Sequence, residues 1–382
     1  MISRGKSAWI HPQETPSRQI HPLETPSRPR GAASCQPATG SHLRRRSPDS
    51  GNVMAMPTTS DPSTVSLSSA QLRDLCIGAI TAAGGSPALA SSLAEATVAA
   101  ERRGKTQVGT AHLVDYLDGL EAGRINGRAR PRVSERLAAA HHVDADGGIA
   151  QLAFDEAFAG FTAAATELGI SILNITNAFT AGELGYYTTR LAEQGLIGLA
   201  GANSPALMSL FGSADQVTGT NPFSFAVPHA DGPRMFDQAS SETAWVNIRD
   251  AADRGDRIPE GWAQDPTGAA TVDAEAALAG SLLPFGGVKG SNLALMVELL
   301  AVHGGARFSL DAPAFDSGQE NPGTGLFVIA IAADAFGPEH MDRIAVHLER
   351  LRTQFGIDFG RKHHLEDIEL PVEIHAALLD RC

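Results

Sequence analysis

Three short stretches combine residue types that could handle an anion and a proton. Gly286–Asn292 reads Gly-Gly-Val-Lys-Gly-Ser-Asn and runs straight into an apolar helical segment, Leu293–Val302. Glycines ahead of a helix N-terminus let backbone N–H groups approach a phosphate, with the helix dipole assisting. Lys289 would add a point charge, although the same letters suit a tight turn with a solvated lysine. Gly219–Pro228 sets a polar Gly-Thr-Asn-Pro before an apolar strand pattern, so Thr220 and Asn221 fall at a strand mouth, a common place for binding groups. A turn in which Asn221 only bonds backbone is the blander reading. In Phe236–Ser241 an acid, Asp237, closes a strand pattern and is followed by Ser240 and Ser241. That order can orient a proton donor or hold a ribose, and it can also cap a helix.

The elements that must position these groups are legible from periodicity. Leu67, Leu72, Leu75 and Ile77 predict a first helix stopped by Gly84, and Pro87 opens a second that carries Leu89, Leu93, Ala96 and Ala100. A third helical run covers about His112 to Glu121. From about Val143 the pattern changes. Gln151–Glu167 is an amphipathic helix with Phe154, Ala157, Phe158, Phe161 and Ala165 on one face. Strand-length apolar runs follow at Ile170–Ile175, Leu196–Ala200, Phe223–Val227 and Leu326–Ala332, with a helix over Tyr186–Gln194 between the first two. Asn292–Val302 and Met341–Gln354 read as late helices, and His141 and His142 as surface residues of a polar connection. The expected fold is α/β, with a helical domain (66–135, joined by C-terminal helices within 341–382) packed on a mixed-sheet domain (136–335). No Gly-x-Gly-x-x-Gly lies at a strand–helix junction, so the sheet domain is expected not to be of Rossmann type.

Composition narrows the function classes. Of 382 residues 43% are hydrophobic and 19% charged, which fits a globular chain. The net charge is −13, and residues 1–55 hold eight Lys/Arg against three Asp/Glu, so the rest is more acidic still. An acidic body argues against nucleic acid as a partner, and no apolar run approaches the length of a membrane span. Cys35, Cys76 and Cys382 fit neither a disulfide framework nor a zinc site, so a cytoplasmic location and no metal are expected. Ile10–Arg18 recurs almost unchanged as Ile20–Arg28. Such a Pro/Ser-rich repeat cannot bury enough surface to order itself, so 1–55 reads as a disordered extension, with Met54 and Met56 as alternative starts.

Taken together, Tyr116–Pro131, Gly185–Tyr187, Gly219–Pro228, Phe236–Ala244 and Leu283–Leu300 resemble, in order, the malate/L-lactate dehydrogenase family, which is distinct from the Rossmann lactate dehydrogenases. Sulfolactate and ureidoglycolate dehydrogenases and reductases of cyclic 2-imino acids belong to it. The resemblance, covering Leu67 to the C-terminus, implies a homodimer with NAD or NADP as hydride carrier and a small 2-oxo, 2-hydroxy or 2-imino acid as substrate. It places Lys289, with Gly287 and Gly290 of its loop, against the cofactor, together with Ser204, Asn221, Gln238, Ala239 and Ser240. Asp237 matches an acid for which the family implies a proton relay.

Two departures stand out. Many members carry Ser-His-Gly-x-x-Arg in the first helical domain, where the His donates a proton and the Arg binds a carboxylate. Here the stretch is Gln107-Val-Gly-Thr-Ala-His112. A second family histidine is replaced by Thr180. His112, one turn beyond Val108, is therefore the expected proton donor or carboxylate contact, with Thr180 a hydrogen-bond donor poorly suited by its pKa to act as the primary acid. A capping or packed histidine is the competing reading. At the level of the whole chain the alternative is a catalytically silent NAD(P)-binding member that acts as a sensor or partner protein.

Overall fold

A computed structural model describes residues 63–337, 339–360 and 364–382. The repeat-bearing extension of 1–55 lies outside the described residues. The described chain enters through β1 (Thr64–Ser68) and three helices, α1 (Ser69–Ala82), α2 (Pro87–Arg102) and α3 (Thr110–Glu121). Leu67, grouped with the first helix by its spacing, belongs instead to β1, where it pairs with Ile368. Ser68 sets that boundary. Its hydroxyl accepts from the Gln71 N–H while the Gln71 side chain accepts from the Ser68 N–H, a reciprocal cap that ends the strand and starts the helix. Leu72, Ile80, Leu93, Leu113 and Leu117 form one buried cluster, completed by Leu370 and Leu378 from the far end of the chain.

The chain continues through the hairpin β2 (Arg132–Leu137) and β3 (Ala140–Asp144), then α4 (Ala150–Leu168), β4 (Ile170–Ala178), α5 (Gly185–Glu193), β5 (Leu196–Ala202), β6 (Phe223–Val227) and β7 (Arg234–Gln238). A small lobe follows, of α6 (Trp245–Arg254), β8 (Ala263–Gln264), β9 (Ala270–Thr271), α7 (Ala274–Ala279) and β10 (Ser281–Leu282), built around Met208, Ile248, Ile258 and Leu282. Last come α8 (Val288–Val302), β11 (Thr324–Ala332), α9 (Glu339–Phe355), β12 (Asp367–Pro371) and α10 (Val372–Leu379).

Seven strands make one sheet in the order β2-β3-β4-β11-β5-β6-β7; β3 and β4 run parallel and the other neighbours antiparallel. It is a mixed sheet, as its strand-length apolar runs suggest. β11 is late in the chain yet lies at the centre, which is why its sequence is apolar almost without interruption. Phe154, Phe161, Leu173, Ile175 and Val328 pack between α4 and the sheet, each burial worth about 1.5–3 kcal/mol. His141 and His142 are not in a surface connection. They lie on β3, where His141 is buried against Phe161 and His142 Nε2 meets Thr176 Oγ1 at 3.1 Å.

Candidate functional site

The sequence leaves His112 with two readings, and the structure surrounds it with polar partners. Its helix, α3, begins at Gly109–Thr110 with no capping side chain of its own. Glu101, buried at the end of α2, supplies the cap from a distance: one carboxylate oxygen accepts from Thr110 N at 2.7 Å and Thr110 Oγ1 at 2.6 Å, the other from Thr106 Oγ1 at 2.9 Å. A Cβ on Gly109 would stand 2.6 Å from that carboxylate, so glycine is what lets the two elements close together. One turn into α3, His112 Nδ1 lies 2.7 Å from Asp115 Oδ2 and Nε2 lies 3.1 Å from Thr180 Oγ1. Thr180 Oγ1 donates to Tyr116 Oη at 2.6 Å, Gln151 Nε2 donates to the same oxygen at 3.1 Å, and Tyr116 donates to the Thr180 carbonyl at 3.2 Å. Burial pushes the Tyr116 phenol up to about 12, against the opposing effect of its bonds from Thr180 and Gln151, so it stays protonated at neutral pH. The two sequence candidates His112 and Thr180 thus meet at one point, and Asp115, Tyr116 and Gln151 are partners that sequence reasoning missed. The spacing of His112 and Asp115, three residues apart on a helix, was the available signal.

Asp237 stands elsewhere. It is the penultimate residue of β7, and its Oδ2 accepts from the Gly185 N–H at 2.9 Å, at the turn that follows Thr180 and begins α5. Burial raises its carboxyl from 3.8 to about 6; the Gly185 bond opposes this, and the neighbouring Glu183 carboxylate adds to it. Glu183 is itself buried and held by Arg103, whose Nε donates to both carboxylate oxygens at 3.0 Å. The folded pKa lies above the unfolded one, so the native state holds this proton more tightly, and the stabilisation is lost as pH rises from about 4 to about 6. Asp237→Asn should therefore gain stability relative to the parent protein across that interval, measured by urea unfolding at pH 4.5 and 6.5. A constant difference between the two proteins would refute the assignment.

The remaining candidates gather around the start of α8. Gly286 and Gly287 adopt φ of 56° and 62°, a region open to glycine, and a Cβ on Gly290 would lie 2.1 Å from the Phe285 carbonyl. Lys289 is exposed on the first turn. The segment after Asp237 is tied to this loop: Phe285 N donates to the Ser240 carbonyl at 3.1 Å, and Ser241 bridges Pro284. Gln238 is exposed, Ala239 half-buried, and Ser240 fully buried with its hydroxyl on the Asn221 carbonyl at 2.8 Å. Asn221 is likewise fully buried, at φ 37°, and its Nδ2 donates to Ala294 O and Glu298 Oε2. Asn221 and the Ser240 hydroxyl therefore shape the strand mouth from within and present no side-chain group to its surface. Ser204 is half-buried and packs on Gly219. Gly286 and Gly287 border a cavity of about 660 Å³ that Phe211, Gln264 and Thr267 also line, a volume inside the range of small-molecule sites. A glycine loop at a helix start beside such a cavity fits a nucleotide cofactor. Strand β7 links the two regions: Asp237 grips the Thr180–Gly185 turn, and Ser240, three residues on, grips the glycine loop.

Comparison with known proteins gives a consistent answer. The sequence profile of the malate/L-lactate dehydrogenase family matches residues 67–362. A Δ1-pyrroline-2-carboxylate/Δ1-piperideine-2-carboxylate reductase of Pseudomonas putida is 37% identical, over 73% of this chain and 82% of its own length. A (2R)-3-sulfolactate dehydrogenase (NADP+) of Chromohalobacter salexigens is 33% identical, over 78% and 92%. The crystal structure of Δ1-piperideine-2-carboxylate reductase from Pseudomonas syringae pvar. tomato superposes with a TM-score of 0.73 at 33% identity, covering 83% of this chain and 93% of that one.

Proposed function

The chain belongs to the malate/L-lactate dehydrogenase family and is an NAD(P)-dependent dehydrogenase or reductase, and from that premise we propose that it reduces a small cyclic 2-imino acid or 2-oxo acid at His112 and Thr180. The observation that carries this is the 3.1 Å contact between His112 Nε2 and Thr180 Oγ1, backed by Asp115 and Tyr116. Where many family members have His at the Val108 and Thr180 positions, this chain carries an imidazole at His112 that reaches Thr180. The acid function is relocated, which removes the motive for reading the chain as a silent cofactor-binding sensor. The bound nicotinamide supplies the hydride; the chain supplies the proton and the orientation. Gly287, Lys289 and Gly290 would hold the cofactor's phosphates, with Gln238, Ala239 and Ser204 alongside, Asn221 and Ser240 setting the shape beneath, and Asp237 fixing the turn that carries Thr180.

The test is a fluorescence titration with NADH and NADPH, followed by turnover on pyruvate, oxaloacetate, sulfopyruvate, Δ1-pyrroline-2-carboxylate and Δ1-piperideine-2-carboxylate. Cofactor binding with turnover of an imino acid is the expected result, and absence of binding to either cofactor would overturn the reading. The same titration tests cofactor preference. The ionisable residues lining the cavity beside Gly287 are Glu242 and Glu260. A ribose diol can bond a carboxylate, whereas a 2′-phosphate is repelled by it. NADH is expected to bind about tenfold more tightly than NADPH at low salt, the gap shrinking as salt rises and closing in Glu242→Gln/Glu260→Gln. Equal affinities in the parent protein would count against this placement of the ribose.

We place the enzyme in the cytoplasm as a homodimer. The described cysteines, Cys76 and Cys382, are unpaired thiols, which fits a reducing compartment, and no described helix is long and apolar enough to cross a membrane. Leu295, Met296 and Leu299 are exposed together on α8, and Phe308 and Leu310 are exposed just beyond it. A second copy covering them would account for a helix that is apolar on its outer side as well as its inner one.

A further inference from the structure

The hydrogen bonds around His112 have a direction, and that direction restricts where its protons are. Tyr116 gives its proton to the Thr180 carbonyl, so its oxygen is left to accept, and it accepts from Gln151 Nε2 and from Thr180 Oγ1. The Thr180 hydroxyl, having donated to Tyr116, can only accept from His112 Nε2. At the other side of the ring, Nδ1 faces the Asp115 carboxylate at 2.7 Å, and a carboxylate also only accepts. Both ring nitrogens then carry hydrogen.

We propose that Thr180 is the group that hands the proton to the substrate, that His112 is the imidazolium that refills it, and that Asp115 is the positioning residue that holds His112 in that state. The proposal rests on the reductase reading above. Thr180 and His112 are each partly open to solvent, while Tyr116 is buried. The Thr180 hydroxyl turns from Tyr116 to the carbonyl oxygen or imine nitrogen of the substrate. Its O–H bond breaks as the new bond to that heteroatom forms. The Nε2–H bond of His112 breaks in turn and restores the hydroxyl. Thr180 ends unchanged, His112 ends neutral with hydrogen on Nδ1, and Asp115 exchanges no proton. The two electrons come from the nicotinamide hydride, so the balance closes once solvent reprotonates Nε2. An unassisted threonine hydroxyl is too weak an acid for this step at neutral pH, and the histidine behind it supplies what it lacks. This assigns His112 to proton supply and not to holding the substrate carboxylate, since both of its N–H groups are already spent inside the protein.

Two measurements test it. In the cofactor-free protein, two-bond ¹H–¹⁵N correlation spectra at pH 7, with His112→Gln to identify the signals, should show both nitrogens of His112 protonated in the parent and one bare in Asp115→Asn. A bare nitrogen in the parent overturns the assignment, whether or not any substrate has been found. In turnover, Thr180→Val should lower kcat by about 100-fold or more with cofactor Kd and substrate KM within about threefold, and Thr180→Ser should restore most of it. A kcat for Thr180→Val near that of the parent, or a failure of Thr180→Ser to rescue, overturns the relay. A His112→Gln variant that raises KM and leaves kcat intact would make His112 a carboxylate anchor instead. Failure of the parent to turn over any substrate would count against the reductase reading, and the spectra would still decide the state of His112.

Discussion

Arg103→Met is expected to lower stability by about 3–5 kcal/mol, seen as a fall in Tm of roughly 4–8 °C for a folded region of this size. The side chains of Arg103 and Glu183 are each only 4% exposed. Removing the guanidinium leaves a buried carboxylate without its counter-charge and without the bonds that Nε and Nη2 make to it. The paired charges are worth much less than the loss of one partner suggests, because both were desolvated to form the pair. Arg103→Met combined with Glu183→Leu should therefore recover most of the loss, and a double variant as unstable as the single one would locate the damage in packing. The defect should also grow with pH. Asp237, already raised to about 6 by burial with Glu183 contributing, is lowered by Arg103. Without that cation its folded pKa moves further from the unfolded value, and the window in which stability is lost extends above pH 6. Thermal unfolding at pH 5 and pH 7.5 checks this, with the larger difference from the parent expected at pH 7.5.

That pair shows where sequence reading stops. The positions of α4, α5, β5, β6 and β11 follow from apolar period and length, because burial on one helix face or in a central strand writes itself into the residue order. The glycine loop before α8 is legible for a related reason: Gly287 and Gly290 sit where a Cβ is strained or obstructed. Arg103 and Glu183, by contrast, are 80 residues apart and each reads as an ordinary surface charge. Only the packing of α2 against the turn before α5 makes them a buried pair. His141 failed in the same way. It lies on β3, in a hairpin whose outer strand is exposed throughout, so no clear alternation marks the strand that buries it. At the candidate site, the resemblance read from the sequence marks Val108 and Thr180 as departures, and His112 is visible one turn away. That His112 reaches Thr180, with Asp115 behind it, depends on how α3 faces the end of β4, which no local pattern contains. Asn221 is expected as a binding group because polar residues at strand mouths often are; its buried side chain instead donates to Ala294 O and Glu298 Oε2, which no local pattern foretells.

Glu298 offers the second large effect. It interrupts the apolar run of α8 and is 5% exposed, with no cation in contact among the described residues. Its carboxylate accepts from Ser309 N at 2.7 Å, Ser309 Oγ at 2.6 Å and Asn221 Nδ2 at 2.9 Å, and Ser309 Oγ accepts in turn from Gly219 N at 3.1 Å. One acid thus ties α8 to the loop before β11 and to the turn before β6. Glu298→Ala would leave the Ser309 N–H without an acceptor and take one from Asn221 Nδ2 and from the Ser309 hydroxyl, at about 1–3 kcal/mol for each buried donor left unmet. The expected total is roughly 3–5 kcal/mol once partial relaxation is allowed for. Glu298→Gln keeps one accepting oxygen but turns an NH2 toward donors, so it should fall between. The more informative readout is cofactor affinity, by fluorescence titration at a temperature where all three proteins are folded. Asn221, Ser240 and Phe285 form a continuous chain of bonds from Glu298 to the glycine loop. A loosened Asn221 should weaken cofactor binding about tenfold, although Glu298 is buried beneath the strand mouth and offers no surface to a ligand. Unchanged affinity with lowered stability would mean that the glycine loop holds its shape without this support, and that the strand mouth and the glycine turn are structurally independent.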